Sequence, residues 1–237
     1  MDPDFSIEQV DVNGDVRETA HDAMDALESR GDTRLDFLKK AGLAGGAVMG
    51  GGALLTALTP AAAMADGKGR PPKSFGKGDI GILNYALTLE YLEAAFYNEA
   101  TKNRVAKGAQ ESAFLKQVTS DENAHVKFLK KALGSKAVKA PKVDFGNATS
   151  KANWLPTAMV LENTGVKAYG GQALNIHNKT YLGAALSIWA VEARHASVAG
   201  LLVKPISKNI SPEKGPFQTT ATAAEVLKAV EGTGFLV

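Results

Sequence analysis

Two short motifs in this sequence place a glutamate and a histidine three residues apart: Glu122 with His125, and Glu192 with His195. Residues three apart on an α-helix project from one face, so each pair can reach a common metal ion through a carboxylate oxygen and an imidazole nitrogen. One E-x-x-H motif alone carries little weight, because ordinary surface helices often contain it. Two copies direct attention to the helices that hold them.

Four segments show the apolar spacing of amphipathic helices, with steps of three and four residues. The first segment runs from Leu83 to Tyr97 and carries Glu90 on its apolar stripe. The other three lie near Ala109 to Leu133, Leu155 to Ala173, and Lys179 to Val203. The two E-x-x-H motifs fall on the stripes of the second and fourth segments, and the third segment carries Glu162.

The second pair of segments repeats the first. Glu90 and Glu162 are each followed seven residues later by a tyrosine, Tyr97 and Tyr169, and the E-x-x-H glutamates follow them after 32 and 30 residues. Such regularity indicates an internal two-fold repeat. The Gly-, Pro-, Lys- and Asn-rich segment from 135 to about 153 is long enough to cross from one end of a bundle to the other. The sequence therefore predicts an all-α four-helix bundle with a long crossover between its second and third helices.

Carboxylates on buried stripes need positive charge beside them, because burying each one unpaired costs several kcal/mol. These stripes offer no matching lysines or arginines, so a pair of divalent or trivalent metal ions is the economical partner. Four carboxylates and two imidazoles supply about three protein ligands per ion and leave positions open for water or oxygen species. The predicted ligands are Glu90, Glu122, His125, Glu162, Glu192 and His195.

Two other acids lie close to these ligands in sequence. Glu93 is a rival to Glu90 one helical turn along, but it lies nearer the edge of the stripe and Glu90 has the matching tyrosine, so we prefer Glu90. Asp121 lies off its stripe. We expect Asp121 to accept a hydrogen bond from the free ring N–H of a liganding histidine on a neighbouring helix, as such imidazoles normally require.

Three further side chains are expected to lie behind the ligands. Tyr97 and Tyr169 are predicted to be core aromatics whose hydroxyls hydrogen-bond ligand carboxylates. Arg194 is predicted to pair with an acid near the site, with a surface ion pair as the alternative.

Composition narrows the chemistry. The 237-residue chain has no cysteine, which excludes disulfides, thiolate catalysis, zinc–thiolate sites and iron–sulfur clusters. After Ala65 the chain carries 22 basic and 14 acidic residues. The excess of basic residues is dispersed along the chain, which is typical of a solvated surface. Because no basic cluster is interleaved with aromatic residues, we expect no nucleic-acid partner.

The first 65 residues have the order of a secretory signal. Basic residues at Thr33 to Lys40 precede an uncharged stretch, Ala41 to Ala65, that ends in a small-residue A-M-A site. The text T-R-L-D-F-L-K-K resembles the twin-arginine export motif, with Leu35 in place of the second arginine. We expect cleavage after Ala65 and a periplasmic or other extracytoplasmic location. An uncleaved anchor is the alternative and the one case in which membrane contact is expected.

The remaining chain divides into three parts. A linker is predicted at 66–78, the helical bundle at 79–203, and a C-terminal extension at 204–237 with a short helix near Ala223 to Glu231.

Several stretches resemble a known superfamily. They are L-N-Y-A-L-T-L-E-Y-L-E-A-A-F-Y (Leu83 to Tyr97), D-E-N-A-H (Asp121 to His125), A-M-V-L-E-N-T-G-V-K-A-Y (Ala158 to Tyr169) and A-V-E-A-R-H (Ala190 to His195). They resemble the ferritin-like superfamily, and within it the exported ferritin-like domains related to plant desiccation-associated proteins. The resemblance covers roughly 79–203. It implies a ferritin-like four-helix bundle, the same six ligands, and two iron ions, with manganese as the alternative.

The expected function follows from this resemblance. An exported protein with a carboxylate-bridged dinuclear site would act as an oxidoreductase, oxidising iron or reducing dioxygen or peroxide in stress protection. In the alternative, the protein is a non-catalytic desiccation or stress protein whose metals only brace the bundle. Oligomerisation is compatible with both interpretations.

Overall fold

The computed structural model describes residues 69–203 and 218–237, and these ranges contain helices, turns and one isolated bridge but no strand. The α-helices of these ranges are α1 (Gly78–Lys102), α2 (Gly108–Leu133), α3 (Trp154–Ala173), α4 (Lys179–Val203) and α5 (Ala223–Gly232). The all-α helical bundle predicted from the sequence is thus confirmed. The predicted export signal at 1–65 lies outside the described residues, so it stays a prediction.

The four long helices form two hairpins, α1 with α2 and α3 with α4, and α1 also contacts α3 while α2 contacts α4. The first helix is the most enclosed: 15 of the 25 residues of α1 are buried, against seven of 26 in α2. The part of α1 from Gly81 to Tyr97 is mostly apolar, whereas α2 has a polar outer face that includes several lysines. The central position of α1 means that side chains at the edge of its stripe are also buried.

The crossover from α2 to α3 lies along the bundle and is fixed to α1. Gly134, with a φ of +55°, ends α2 in a conformation that favours glycine. Asn84 of α1 then binds the crossover through both ends of its amide: its Nδ2 donates to the Lys136 carbonyl at 3.0 Å, and its Oδ1 accepts from the Val138 N–H at 3.0 Å. Phe145 of the same segment enters the apolar core.

Two apolar clusters fill the bundle. On α2, Phe114 and Val118 belong to the first cluster and Leu129 to the second, and on α4, Ile188 belongs to the second and Ala199 to the first. Both E-x-x-H motifs lie between these residues in the chain. The site is therefore a polar layer with apolar packing on either side along the bundle.

The C-terminal helix α5 packs against α3. Its start is fixed by a capping box in which Thr222 and Glu225 satisfy each other's backbone N–H groups. Just before it, Ala221 passes so close to α3 that a Cβ at Gly171 would stand 1.9 Å from the Ala221 carbonyl oxygen. The glycine is what allows this segment to lie directly on α3.

By length and composition α4 is apolar enough to cross a membrane. In the bundle, however, Glu192 and His195 in its middle are buried against the other helices. The apolar composition of α4 is also that of the core helix of a bundle.

Candidate metal centre

The structure brings the six predicted ligands into one buried cluster, with at least one from each long helix. The four carboxylate residues have 0% exposure and the two histidines 8% and 6%. The contributions are Glu90 from α1, Glu122 and His125 from α2, Glu162 from α3, and Glu192 and His195 from α4.

These residues form two overlapping groups, in each of which one ligand atom per residue lies within 4.8 Å of all the others. The first group is Glu90, Glu122, His125 and Glu192, and the second is Glu122, Glu162, Glu192 and His195. We call them the His125 position and the His195 position. Glu122 and Glu192 belong to both groups, so they could bridge two ions, while Glu90 and Glu162 would be terminal. The spacing of the glutamates in the sequence did not decide which of them bridge and which are terminal.

The histidine nitrogens point at several oxygens at once. His125 Nδ1 lies 3.2 Å from an oxygen of each of three glutamates: Glu90, Glu122 and Glu192. His195 Nδ1 lies 3.0 Å from Glu122 Oε1 and 3.3 Å from Glu162 Oε2. A ring nitrogen has only one direction for a proton or a metal ion. Several oxygens at similar distances from one ring nitrogen therefore indicate a shared centre.

Buried polar atoms without hydrogen-bond partners show whether the residues of the cluster fit metal ions. Among the described residues, the buried atoms without a hydrogen-bond partner include Glu122 Oε1, Glu162 Oε2, both Glu192 oxygens and His195 Nδ1. His195 Nδ1 and Glu122 Oε1 are 3.0 Å apart, so they are close but not aligned for a hydrogen bond. Each such atom costs about 1–3 kcal/mol when left unpaired. These five atoms belong to residues of the two positions, and the Tyr85 hydroxyl is the sixth such atom among the described residues. Carboxylate oxygen with imidazole nitrogen suits iron or manganese.

The two tyrosines connect the halves of the repeat crosswise. Tyr97 on α1 donates its hydroxyl hydrogen to Glu162 Oε1 on α3, and Tyr169 on α3 donates to Glu90 Oε1 on α1 at 2.5 Å. Burial and the neighbouring carboxylates raise the pKa of both hydroxyls, so they remain donors. Each tyrosine thus holds one oxygen of a terminal glutamate and leaves the other free for an ion.

Asp121 orients one of the histidines. Its Oδ2 lies 3.0 Å from His195 Nε2, which directs Nδ1 of the ring towards the carboxylates. Burial acts to lower the pKa of His195, but the hydrogen bond with Asp121 and the close carboxylates of Glu122 and Glu162 outweigh burial and raise that pKa to about 12. Partial burial acts to raise the pKa of Asp121, but the hydrogen bond with His195 outweighs burial, so that pKa is lowered.

The close packing of the buried carboxyl groups shifts their pKa values. Burial, together with the charge of Glu90, raises the pKa of Glu122 to about 7. Burial and the charges of Glu122 and Glu162 raise the pKa of Glu192 well above its ordinary value. The pKa of Glu90 is lowered, because the charge and hydrogen bond of His125 outweigh burial. Without metal, protons on the histidines and on some glutamates supply the neutralisation that cations would otherwise provide.

Arg194 is not brought into the cluster. It lies two residues after Glu192, which turns it about 200° around the helix axis, and its side chain is exposed. It lines a groove of about 880 Å³ between α2 and α4, together with Asp121, His195 and Val198. The groove reaches the outer edge of His195, so it is a route from solvent towards the His195 position.

Glu93 lies closer to the cluster than its place near the edge of the apolar stripe predicted. It is only 3% exposed. Its Oε1 lies beside the cluster, because a Cβ on Gly165 would stand 3.3 Å from it and 3.1 Å from Glu192 Oε2. Burial and the charges of Glu192 and Glu162 raise the pKa of Glu93 well above the ordinary value. The prediction that Glu93 lies at the stripe edge did not allow for the enclosure of α1 on more than one side. The available signal was the Glu90–Glu93 spacing, which equals that of the E-x-x-H motifs.

These observations define an all-α bundle protein with a buried carboxylate–imidazole cluster that can hold metal. The chain belongs to the ferritin-like domain family, whose model matches residues 78–205 and so spans α1 to α4. No curated protein matches the chain.

Proposed function

We propose that this protein is an exported dinuclear metal protein that oxidises Fe²⁺ or reduces dioxygen or peroxide, and thereby protects against oxidative or drying stress. The observation that carries the proposal is the pair of overlapping ligand groups that share Glu122 and Glu192. Two ions held side by side by shared carboxylates can exchange electrons with one small oxidant. The ferritin-like family membership supports iron as the metal, with manganese as the alternative.

When bound, the metal supplies the one-electron redox chemistry, and the side chains of the bundle supply its setting. Glu122 and Glu192 would contribute to both metal positions, and the crosswise tyrosines keep Glu90 and Glu162 in place. The apolar clusters on either side exclude bulk water. Such a dry, preorganised layer strengthens the electrostatic attraction between carboxylates and cations.

The groove beside His195 supports a small diffusible substrate. It is lined by Asp121 and His195, together with the exposed Arg194 and Val198. One acidic and one basic side chain at the same opening suit the passage of both a cation such as Fe²⁺ and a small oxidant. Neither substrate needs a large binding pocket.

Export is the second part of the proposal. It is supported by the basic region, the uncharged stretch and the A-M-A sequence that ends at Ala65. A mature N-terminus at Asp66 in protein isolated from the extracytoplasmic fraction is the expected result. A full-length chain in the cytoplasm would contradict it.

The redox proposal is tested by mixing Fe²⁺-loaded protein with an oxidant. Metal-free protein is loaded anaerobically with two equivalents of Fe²⁺, and dioxygen or peroxide is then added while Fe²⁺ loss and oxidant consumption are followed. We expect both to exceed the rates of free Fe²⁺ in the same buffer, and to return to those rates in a Glu122→Gln variant. Full metal occupancy with no excess rate would contradict the redox function and leave the metals as a brace for the bundle.

A further inference from the structure

The apolar packing beside the metal centre contains a cavity. It has a volume of about 20 Å³, borders the second apolar cluster, and has residues of all four long helices in its wall. The lining includes Leu83 of α1, Leu129 of α2, and Ala185 and Ile188 of α4. Because roughly 10–15 Å³ of such space is enough for a water-sized molecule, the cavity has room for one small guest.

The cavity lies next to the His125 position. Tyr169 is part of its wall and donates its hydroxyl hydrogen to Glu90, which is a ligand of that position. Leu129, also in the wall, follows His125 by one turn of α2. The groove described above is lined by other residues and reaches His195 instead. The cavity and the groove therefore lead to different metal positions.

The wall of the cavity offers few free hydrogen-bonding groups. Its one amide belongs to Gln172, which donates to the Gly69 carbonyl and accepts from Asn175. The Tyr169 hydroxyl already donates to a ligand carboxylate. The buried Tyr85 hydroxyl has no hydrogen-bond partner in the part of the chain that the structure describes. A buried water usually makes about three hydrogen bonds, so this cavity suits an apolar guest better than water.

We propose that this cavity holds dioxygen for the His125 position, so that dioxygen and Fe²⁺ approach the cluster by different routes. Dioxygen is apolar and small, and it can accept a weak hydrogen bond from Tyr85 without needing one. Peroxide has two O–H donors that would lose their partners in this cavity, and burying such groups unpaired is unfavourable. This inference rests on the redox part of the proposed function and adds that dioxygen is the oxidant that the bundle favours.

Xenon is the probe for the cavity itself, because it is apolar and enters dry protein cavities. Crystals of the protein as purified are pressurised with xenon, and anomalous scattering locates the bound atoms. We expect a xenon site between Tyr85, Tyr169 and Ala185. It should be lost in Ala185→Leu, whose longer side chain fills the cavity. The matched control is Ala190→Leu, which adds the same group on the exposed side of the same helix and should keep the site.

The kinetic test compares the two oxidants. Fe²⁺ oxidation is measured against dioxygen concentration and, separately, against peroxide concentration. In Ala185→Leu the KM for dioxygen should rise by about fivefold or more, the ratio that corresponds to the smallest usual cost of overfilling a packed site. The dependence on peroxide should not change, and Ala190→Leu should match the unchanged protein with both oxidants. Ala185→Val repeats the comparison with a smaller added group, and melting curves show that each variant is folded.

A further variant separates a dioxygen cavity from a water site. Tyr85→Phe removes the free hydroxyl and should bind xenon about as well as the unchanged protein does. Xenon bound by Tyr85→Phe but absent from the unchanged protein would overturn the inference, because the cavity would then hold water on that hydroxyl.

The remaining outcomes separate the inference from the proposed function. If neither oxidant reacts faster than with free Fe²⁺, the redox function and this inference are both wrong. Acceleration with peroxide alone would overturn only the inference. The same holds if Ala185→Leu leaves the dioxygen dependence unchanged, since the cavity would then not serve the metal centre.

Discussion

The two halves of the repeat, α1–α2 and α3–α4, keep the same ligands but differ in what surrounds them. The first half adds Glu93 where the second has Gly165, and Asp121 where the matching position of the second half is Val191. Asp121 hydrogen-bonds His195, and Glu93 lies beside Glu192. Both departures from the repeat thus come from the first half, and each lies beside a residue of the second half.

The outer faces of the halves differ as well. On α2 the residues that face solvent include lysines such as Lys116 and Lys127, whereas α4 exposes Leu186 (42%) and Val198 (40%). Only the inner stripes are alike. The comparison indicates that the buried charge balance constrains the repeat, while the surface is free to change because a surface substitution shifts stability by little.

The largest effects are expected from residues that the two halves share. Glu122→Gln removes a carboxylate that belongs to both positions, so both ions should bind more than about 100-fold more weakly, since loss of a supporting group alone costs 10- to 100-fold. Glu90→Gln should weaken only the His125 position. Metal-to-protein ratios after dialysis, measured by elemental analysis, check this. A Glu122→Gln protein that keeps one ion at full affinity would show that Glu122 does not bridge.

Metal removal should reverse the pH dependence of stability. In the metal-free fold the pKa of Glu122 rises from 4.5 to about 7 and that of His195 from 6.5 to about 12. A raised folded pKa gives stability that is complete below the unfolded value and is lost as pH rises towards the folded value. The Glu122 shift alone corresponds to roughly 3 kcal/mol. Metal-free protein should therefore melt at a lower temperature near pH 8 than near pH 5.

The metal-loaded protein should behave in the opposite way, because metal ions bind deprotonated carboxylates and neutral imidazoles, so their stabilisation grows with pH. Melting temperatures of both forms over the same pH range provide the measurement. Two curves that run parallel would contradict the idea that protons and metal ions compete for one cluster. Magnesium in place of Mn²⁺ serves as a control for ionic strength.

Removing a hydroxyl from one of the crosswise tyrosines should have a smaller effect on metal affinity, and it tests whether each half of the repeat supports the metal position of the other half. Tyr97→Phe lies in the first half but should weaken the His195 position, because its hydroxyl holds Glu162. Tyr169→Phe should weaken the His125 position through Glu90. We expect the affinity to fall about tenfold in each case, as measured by titrating the metal-free protein with Mn²⁺. If each substitution affected the position of its own half, the crosswise arrangement would be wrong.

The sequence was sufficient for the parts of the molecule that depend on local periodicity. The four long helices and the convergence of Glu and His from different helices follow from three- and four-residue steps, since such spacing determines the buried face of a helix. The bridging role of Glu122 and Glu192 could not follow, because it depends on the distances between helices. The burial of Glu93 depends on how completely α1 is enclosed, and on a glycine 72 positions away in the chain.

The smallest expected effect concerns the orientation of His195. Asp121→Asn keeps the shape of the side chain but removes the charge beside His195 Nε2. The ring then loses the charge-assisted partner that sets its direction, so affinity at the His195 position should fall by about tenfold while the His125 position is unchanged. Asp121 also lines the groove, so the rate of metal uptake should fall with it. The matched variant is Val191→Asp, which would give the second half the same acid. If a carboxylate at this position orients the histidine of the opposite half, the variant should strengthen the His125 position. A loss confined to uptake rate, with both affinities unchanged, would show that Asp121 serves only the groove.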